Sequence, residues 1–254
     1  MIPLRDNIPT LRFPLVTIVL LVTNVVAYFF WQKGGILHGP SDANVIDYGW
    51  IPYEIKHPGQ QCIAQDGGIA CGEVSGQPSV LVTAFTSMFM HGSILHLGGN
   101  MLFLWIFGNN VEDSMGKIKY IIFYLAGGLA ALAGQTLVAS GSGNAVPLVG
   151  ASGAIAAVLG GYIVLYPRAR VLTLVFIILF FTIIEIPAMV VLGIWFFQQL
   201  LFGAWGLSDP TGGGGGVAYF AHLGGFVFGL ALIRVFARRR NPAYPPRPAS
   251  GMTA

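Results

Sequence analysis

GASGAIAAVLGG, Gly150 to Gly161, holds a single hydroxyl among glycines, alanines and aliphatic residues. Such stretches belong to membrane helices that approach closely, because small side chains let two backbones meet. Ser152 therefore has a bland explanation as one more small residue at a helix contact. The surrounding chain decides whether it has another.

Of the 254 residues, 55% are hydrophobic and 9% charged, with a mean hydropathy of +0.72. Soluble domains carry about 25% charged residues. The composition implies an all-α polytopic membrane protein. About 20 apolar residues cross the hydrocarbon layer, and the sequence predicts spans at 14–31, 94–111, 118–139, 151–166, 188–205 and 217–236, the fourth being short. A seventh apolar run, VLTLVFIILFFTIIEI at 171–186, is rich in β-branched and aromatic residues, contains Glu185 and ends at Pro187.

Charge orients the chain. With six spans and the N-terminus inside, the cytoplasmic segments hold Arg5, Arg12, Lys117, Lys119, Arg168, Arg170, Arg234, Arg238, Arg239, Arg240 and Arg247, and the outer ones hold only Lys33 and Lys56. This is the bias that positive-inside insertion produces. Counting 171–186 as a full span would move the Arg234–Arg247 cluster outside, so that run reads as an interfacial or re-entrant lead into the fifth helix. The first span is too long for a signal-peptide core and no small-residue cleavage site follows it, so it reads as a retained anchor.

The resulting organisation is a cytoplasmic N-terminus at 1–13, a six-helix membrane domain at 14–236 with a long outer loop at 32–92, and a basic, disordered cytoplasmic tail at 237–254. A Gly-rich outer loop occupies 206–216. Cys62 and Cys71 both lie in the outer loop, where they either pair in an oxidising compartment or stay as free thiols. The expected setting is a prokaryotic plasma membrane with both termini cytoplasmic. No internal repeat is evident, which argues against a transporter.

Polar side chains inside apolar helices are costly unless satisfied or useful. The second span begins HGSILHLGGN, with His96 and Asn100 four apart on one helix face. The sixth contains AHLGG, with His222. Together with Ser152 these are a hydroxyl, imidazoles and an amide, the groups that nucleophilic acyl transfer needs. Ser152, His222 and His96 each precede a charged residue, Arg168, Arg238 and Glu112, by 16 positions. On three helices running the same way, that spacing of about 24 Å puts all three side chains at similar depth. Gly153, Ala157 and Gly161 form a small-residue stripe on the fourth helix, and Ala221, Gly225 and Gly229 form one on the sixth. Close packing of the two stripes would carry the hydroxyl towards the imidazole.

With GASG around Ser152, AHLGGFVFG around His222 and HGSILHLGGN in the second span, residues 85–236 resemble the rhomboid family of intramembrane serine proteases. The resemblance implies a six-transmembrane-helix rhomboid-like bundle. It implies Ser152 as nucleophile and His222 as general base and acid, with His96, Asn100 and the Ser152 backbone N–H forming an oxyanion hole. Two departures stand out. Many rhomboids place a Trp-Arg pair in the first outer loop, and here Trp50 is followed by Ile51; some stack an aromatic residue four places after the serine on the histidine, and here that position is Ala156.

Other chemistries lack their signatures. Neither HExxH nor a GxGD-type helix occurs, and GASGA lacks the second glycine of GxSxG. His91 and His96, five apart, are poorly spaced for one metal on a helix, and His91 reads as structural. The resemblance thus implies a serine endopeptidase that cleaves transmembrane segments, needs no cofactor or metal, and has the lipid bilayer and transmembrane substrates, not nucleic acid, as partners. The alternative is a non-catalytic rhomboid-like protein that binds or chaperones membrane clients. No oligomeric state is implied.

Overall fold

The computed structural model describes residues 1–65, 67–139, 144–177, 180–208 and 218–237. Most of the expected Gly-rich loop, from 209 on, and the expected tail from 238 on lie outside these residues. Among them are ten α-helices and five strands. The fold is mostly helical, and the strands correct the all-α expectation.

At the centre stands α8 (Ser152–Leu165), with 11 of its 14 residues buried. A helix that is apolar on every side belongs in a protein core or in lipid, and this one is interior. Against it pack α5 (Ile94–Phe103) with a π-helical turn at Leu104–Gly108, α6 (Asn109–Met115), α7 (Lys117–Val138) and α10 (Tyr219–Phe236). The α8–α10 seam is the tightest. A Cβ added to Gly225 would collide with the Gly153 carbonyl, one on Gly229 with the Ala157 carbonyl, and one on Gly160 with the Phe226 carbonyl. On its other side α10 meets α7, where a Cβ on Gly224 would lie 2.8 Å from the Ala130 carbonyl oxygen.

Among the described residues three helices are long and apolar enough to cross a membrane: α7, α10 and Ala188–Gly206 of α9 (Ala188–Ser208). A fourth span results if α4 (Val80–Thr86), with its 3-10 turn to Phe89, is joined to α5–α6 across a 79° bend. The helix at Leu15–Trp31, formed by α1 (Leu15–Val26) and a π-helical turn, and α8 are apolar but shorter. Among the described residues, length and composition alone thus account for three or four of the six expected spans.

The run at 171–186 is not helical. β4 (Arg170–Ile177) and β5 (Phe180–Pro187) pair antiparallel, with Val171 opposite Ile186 and Ile177 opposite Phe180. β1 (Ile2–Asp6) adds to β4, giving the order β1-β4-β5. Val, Thr, Ile and Phe suit a pleated surface better than a helix. Near its base the hairpin buries Val171 and Thr173, whereas Phe176, Phe180 and Phe181 stay exposed.

Long-range polar contacts tie the basic end together. α1 has no cap of its own, and the buried Glu112 of α6 supplies one, accepting from the Val16 and Thr17 N–H groups at 3.0 and 2.8 Å and from Thr17 Oγ1 at 2.8 Å. Asp6 accepts from Asn110 Nδ2 at 2.7 Å and from the Tyr162 hydroxyl of α8 at 2.5 Å.

The loop expected at 32–92 carries α2 (Asp42–Tyr48), α3 (Pro52–Lys56) and a hairpin of β2 (Gln61–Gln65) and β3 (Gly68–Gly72), clipped by a Cys62–Cys71 disulfide. The buried Glu54 carboxylate accepts from the Cys62 N–H at 2.9 Å. Burial pushes this carboxyl above its ordinary range. Trp50 pairs with Leu148, just before α8, through backbone bonds of 3.0 and 2.7 Å.

Candidate functional site

α5, α8 and α10 begin at the same end of the bundle, and each brings one of its first residues to a common point. Gly150 makes the entry to α8 possible. Its φ of +134° is one that side-chain-bearing residues rarely adopt, and a Cβ there would lie 2.8 Å from the His96 ring and 3.4 Å from Ser152 Oγ. The Gly150 N–H is held by the Ser87 carbonyl at 2.9 Å. Ser152 is then the first helical residue of α8, where the leading N–H groups have no intrahelical acceptor.

His222 lies in the first turn of α10. That turn is anchored by Gln135 of α7, whose Oε1 accepts from the Phe220 and Ala221 N–H groups at 3.1 and 3.2 Å. With the helices locked by the glycine seam, Ser152 Oγ donates to His222 Nε2 at 2.8 Å. The other ring nitrogen, Nδ1, is 2.7 Å from Oε1 of Gln199 on α9. The two contacts fit one tautomer, with Nδ1–H donating to Gln199 and Nε2 accepting from Ser152. Ala156 is fully buried, yet an aromatic ring still lies beside the histidine: the Trp195 centroid is 5.7 Å from that of His222.

On α5, Ser93 caps the helix by accepting from the His96 N–H at 3.1 Å. The His96 ring shares Gly150 with Ser152 Oγ. Asn100, one turn on, is buried, and its Nδ2 has no acceptor among the described residues. His91 is fully buried with its ring 5.2 Å from that of His96. Gln32 grips its backbone, donating to the His91 carbonyl at 3.1 Å and accepting its N–H at 2.8 Å. Among the described residues no three His, Cys, Asp or Glu side chains come together to hold a metal.

The structure thus gathers Ser152, His222 and His96 at one point, with Asn100 one turn along α5. Sequence reasoning passes over Gln199 and Gln135. A signal was present, because Gln199 interrupts the apolar stretch WFFQQLLFG, and an amide in such a helix is expensive unless it is bonded. What the sequence does not carry is which neighbour receives it.

A family model described as the Rhomboid domain matches residues 78–239. Presenilin-associated rhomboid-like protein A, mitochondrial, of Danio rerio is 28% identical over 68% of this chain and 47% of its own length. Rhomboid protein 1, mitochondrial, of Saccharomyces cerevisiae is 30% identical over 59% of this chain and 40% of its own. Presenilin-associated rhomboid-like protein, mitochondrial, of Homo sapiens is 30% identical over 57% and 35%. The chain spans less than half the length of these relatives. Their names also correct the expected prokaryotic plasma membrane, since each is described as mitochondrial. The matched segment starts just before α4, ends just past α10 and so contains every helix that contributes to the site: this chain belongs to the rhomboid family.

Proposed function

We propose that the chain is an intramembrane serine endopeptidase acting on transmembrane segments of other proteins. The observation that carries this reading is the 2.8 Å bond from Ser152 to His222 between two apolar helices. A hydroxyl there needs no imidazole for packing. An imidazole accepting from a serine is what nucleophilic acyl transfer requires.

In the proposed reaction His222 Nε2 takes the Ser152 proton as Oγ attacks the scissile carbonyl carbon. The negative charge formed on the carbonyl oxygen is met by the Ser152 N–H at the start of α8 and by donors from His96 and Asn100. The C–N bond breaks as His222 returns the proton to the leaving amine, which leaves an acyl ester on Ser152. Water then attacks the ester, with His222 again taking and returning a proton, and the serine is restored. A recess of about 30 Å³ beside Ser152, lined by Met88, Gly128, Ala131 and Leu132 among others, suits a small substrate side chain next to the cut bond.

In this reading α1, the bent α4–α6 unit and α8 cross the bilayer together with α7, α9 and α10, which makes six spans, and residues 14–236 form the membrane domain. The mitochondrial names of the relatives extend to a proposed mitochondrial membrane setting. The test is cleavage of a reporter transmembrane protein in proteoliposomes. Wild type should cut, Ser152→Ala should insert normally and not cut, and a zinc chelator should have no effect. Equal cutting by Ser152→Ala would overturn the proposal. A folded wild type that binds the reporter without cutting would favour the client-binding alternative.

A further inference from the structure

α9 is held differently from the other helices of the site. Phe197, Leu201 and Trp205 leave much of its surface exposed. Towards the bundle it turns Trp195 and Gln199, four apart and so on one face, and both reach His222. Gln199 is only 8% exposed, a cost for an amide unless it is bonded.

A neutral imidazole has two tautomers, and only the one with the proton on Nδ1 leaves Nε2 free to accept from Ser152. In an apolar setting that Nδ1–H needs an acceptor, and Gln199 Oε1 stands 2.7 Å away. We propose that Gln199 is the positioning residue of the Ser152–His222 pair, so that the pair is competent only while α9 is docked against α10. This rests on the protease reading above. A carboxylate would make the same bond at the cost of burying a charge, and the amide makes it without one. Trp195 limits rotation of the ring from the same helix face. When α9 swings away, the tautomer lock and the ring stop leave together, while Ser152 and His222 keep the approach that the glycine seam imposes.

The test compares wild type, Gln199→Leu and Gln199→Glu in the proteoliposome assay, reading kcat, KM and the pH profile of kcat. Gln199→Leu should lower kcat roughly tenfold or more, the scale of one lost hydrogen bond, with KM within about twofold. Gln199→Glu should keep activity but move the acid limb of the profile to higher pH, because a carboxylate facing Nδ1 favours the imidazolium and the base is then free only in more alkaline solution. Among the described residues His96 is the other titratable side chain that acts on His222 electrostatically, and it is unchanged in both variants. A merely structural role would lower the folded fraction and leave the limb in place. Wild-type kcat and an unmoved limb in both variants would overturn the role of Gln199. If Gln199→Leu does not fold, the limb of Gln199→Glu decides alone. A wild type that cuts nothing would instead sink the protease reading beneath it.

Discussion

Two walls meet at His222, and they are built on different principles. The α8–α10 wall is made of backbone, because Gly160, Gly225 and Gly229 allow carbonyls of one helix to touch the other where a single Cβ would not fit. The α9 wall is made of side chains, chiefly Gln199 and Trp195, on a helix whose outward face is exposed. A backbone seam fixes a distance and has almost no adjustable parts. A side-chain contact fixes an orientation and can be released by moving one helix. The Ser152–His222 separation therefore belongs to the first wall, and the imidazole tautomer to the second.

The sharpest way to break the first wall is Gly225→Leu, which forces a side chain into the Gly153 carbonyl. Overpacking of this kind costs about 1–3 kcal/mol or more. Reporter cleavage should be lost together with a large drop in melting temperature. A Gly225→Leu protein that melts and cuts like wild type would mean that the seam does not set the pair. The α9 variants should leave the melting temperature nearly unchanged.

In the proposed reaction a third wall, α5, supplies donors instead of spacing. His96→Ala and Asn100→Ala should each lower kcat by about 10² to 10³, the usual effect of deleting one oxyanion donor, with KM little altered. His91, fully buried and gripped through its backbone by Gln32, should act through stability. His91→Ala should lower the melting temperature with a smaller loss of kcat per folded molecule. The reverse ranking would place the oxyanion donors on the wrong histidine.

The smallest effect lies at the far end of α8, where Tyr162 meets Asp6. Burial pushes the Asp6 carboxyl up to about 6 from 3.8, against the opposing hydrogen bonds from Tyr162 and Asn110. The native state thus holds this proton more tightly than the unfolded chain. The contribution of Asp6 to stability is complete below about pH 4 and is lost as pH rises through about 6. Melting temperatures from pH 4 to 7 should fall more steeply for wild type than for Asp6→Asn. Parallel curves would show that Asp6 does not titrate in this range.

Much of this architecture could be read before the structure, because it rests on short periodic signals. The stripes at Gly153–Ala157–Gly161 and Ala221–Gly225–Gly229 announce a close contact, and the equal spacing from Ser152, His222 and His96 to charged residues announces a common depth. The hairpin at 170–187 was half visible in its β-branched and aromatic content, but its pairing with β1 joins residues more than 160 positions apart, which no local pattern encodes. The same holds for Glu112, which reads as a boundary charge and proves to be the cap of α1. Gln199 was missed for that reason as well, since its meaning depends wholly on which helix lies opposite.

In the proposed function Ser152 is a nucleophile made reactive by His222. A fluorophosphonate that captures activated serines tests it without any assumption about substrates. In proteoliposomes, wild type should gain one phosphonyl group, mapped to Ser152 by peptide mass, and His222→Ala should gain almost none over the same time. Equal labelling of Ser152 in the two proteins, or an adduct elsewhere with Ser152 untouched, would contradict the account.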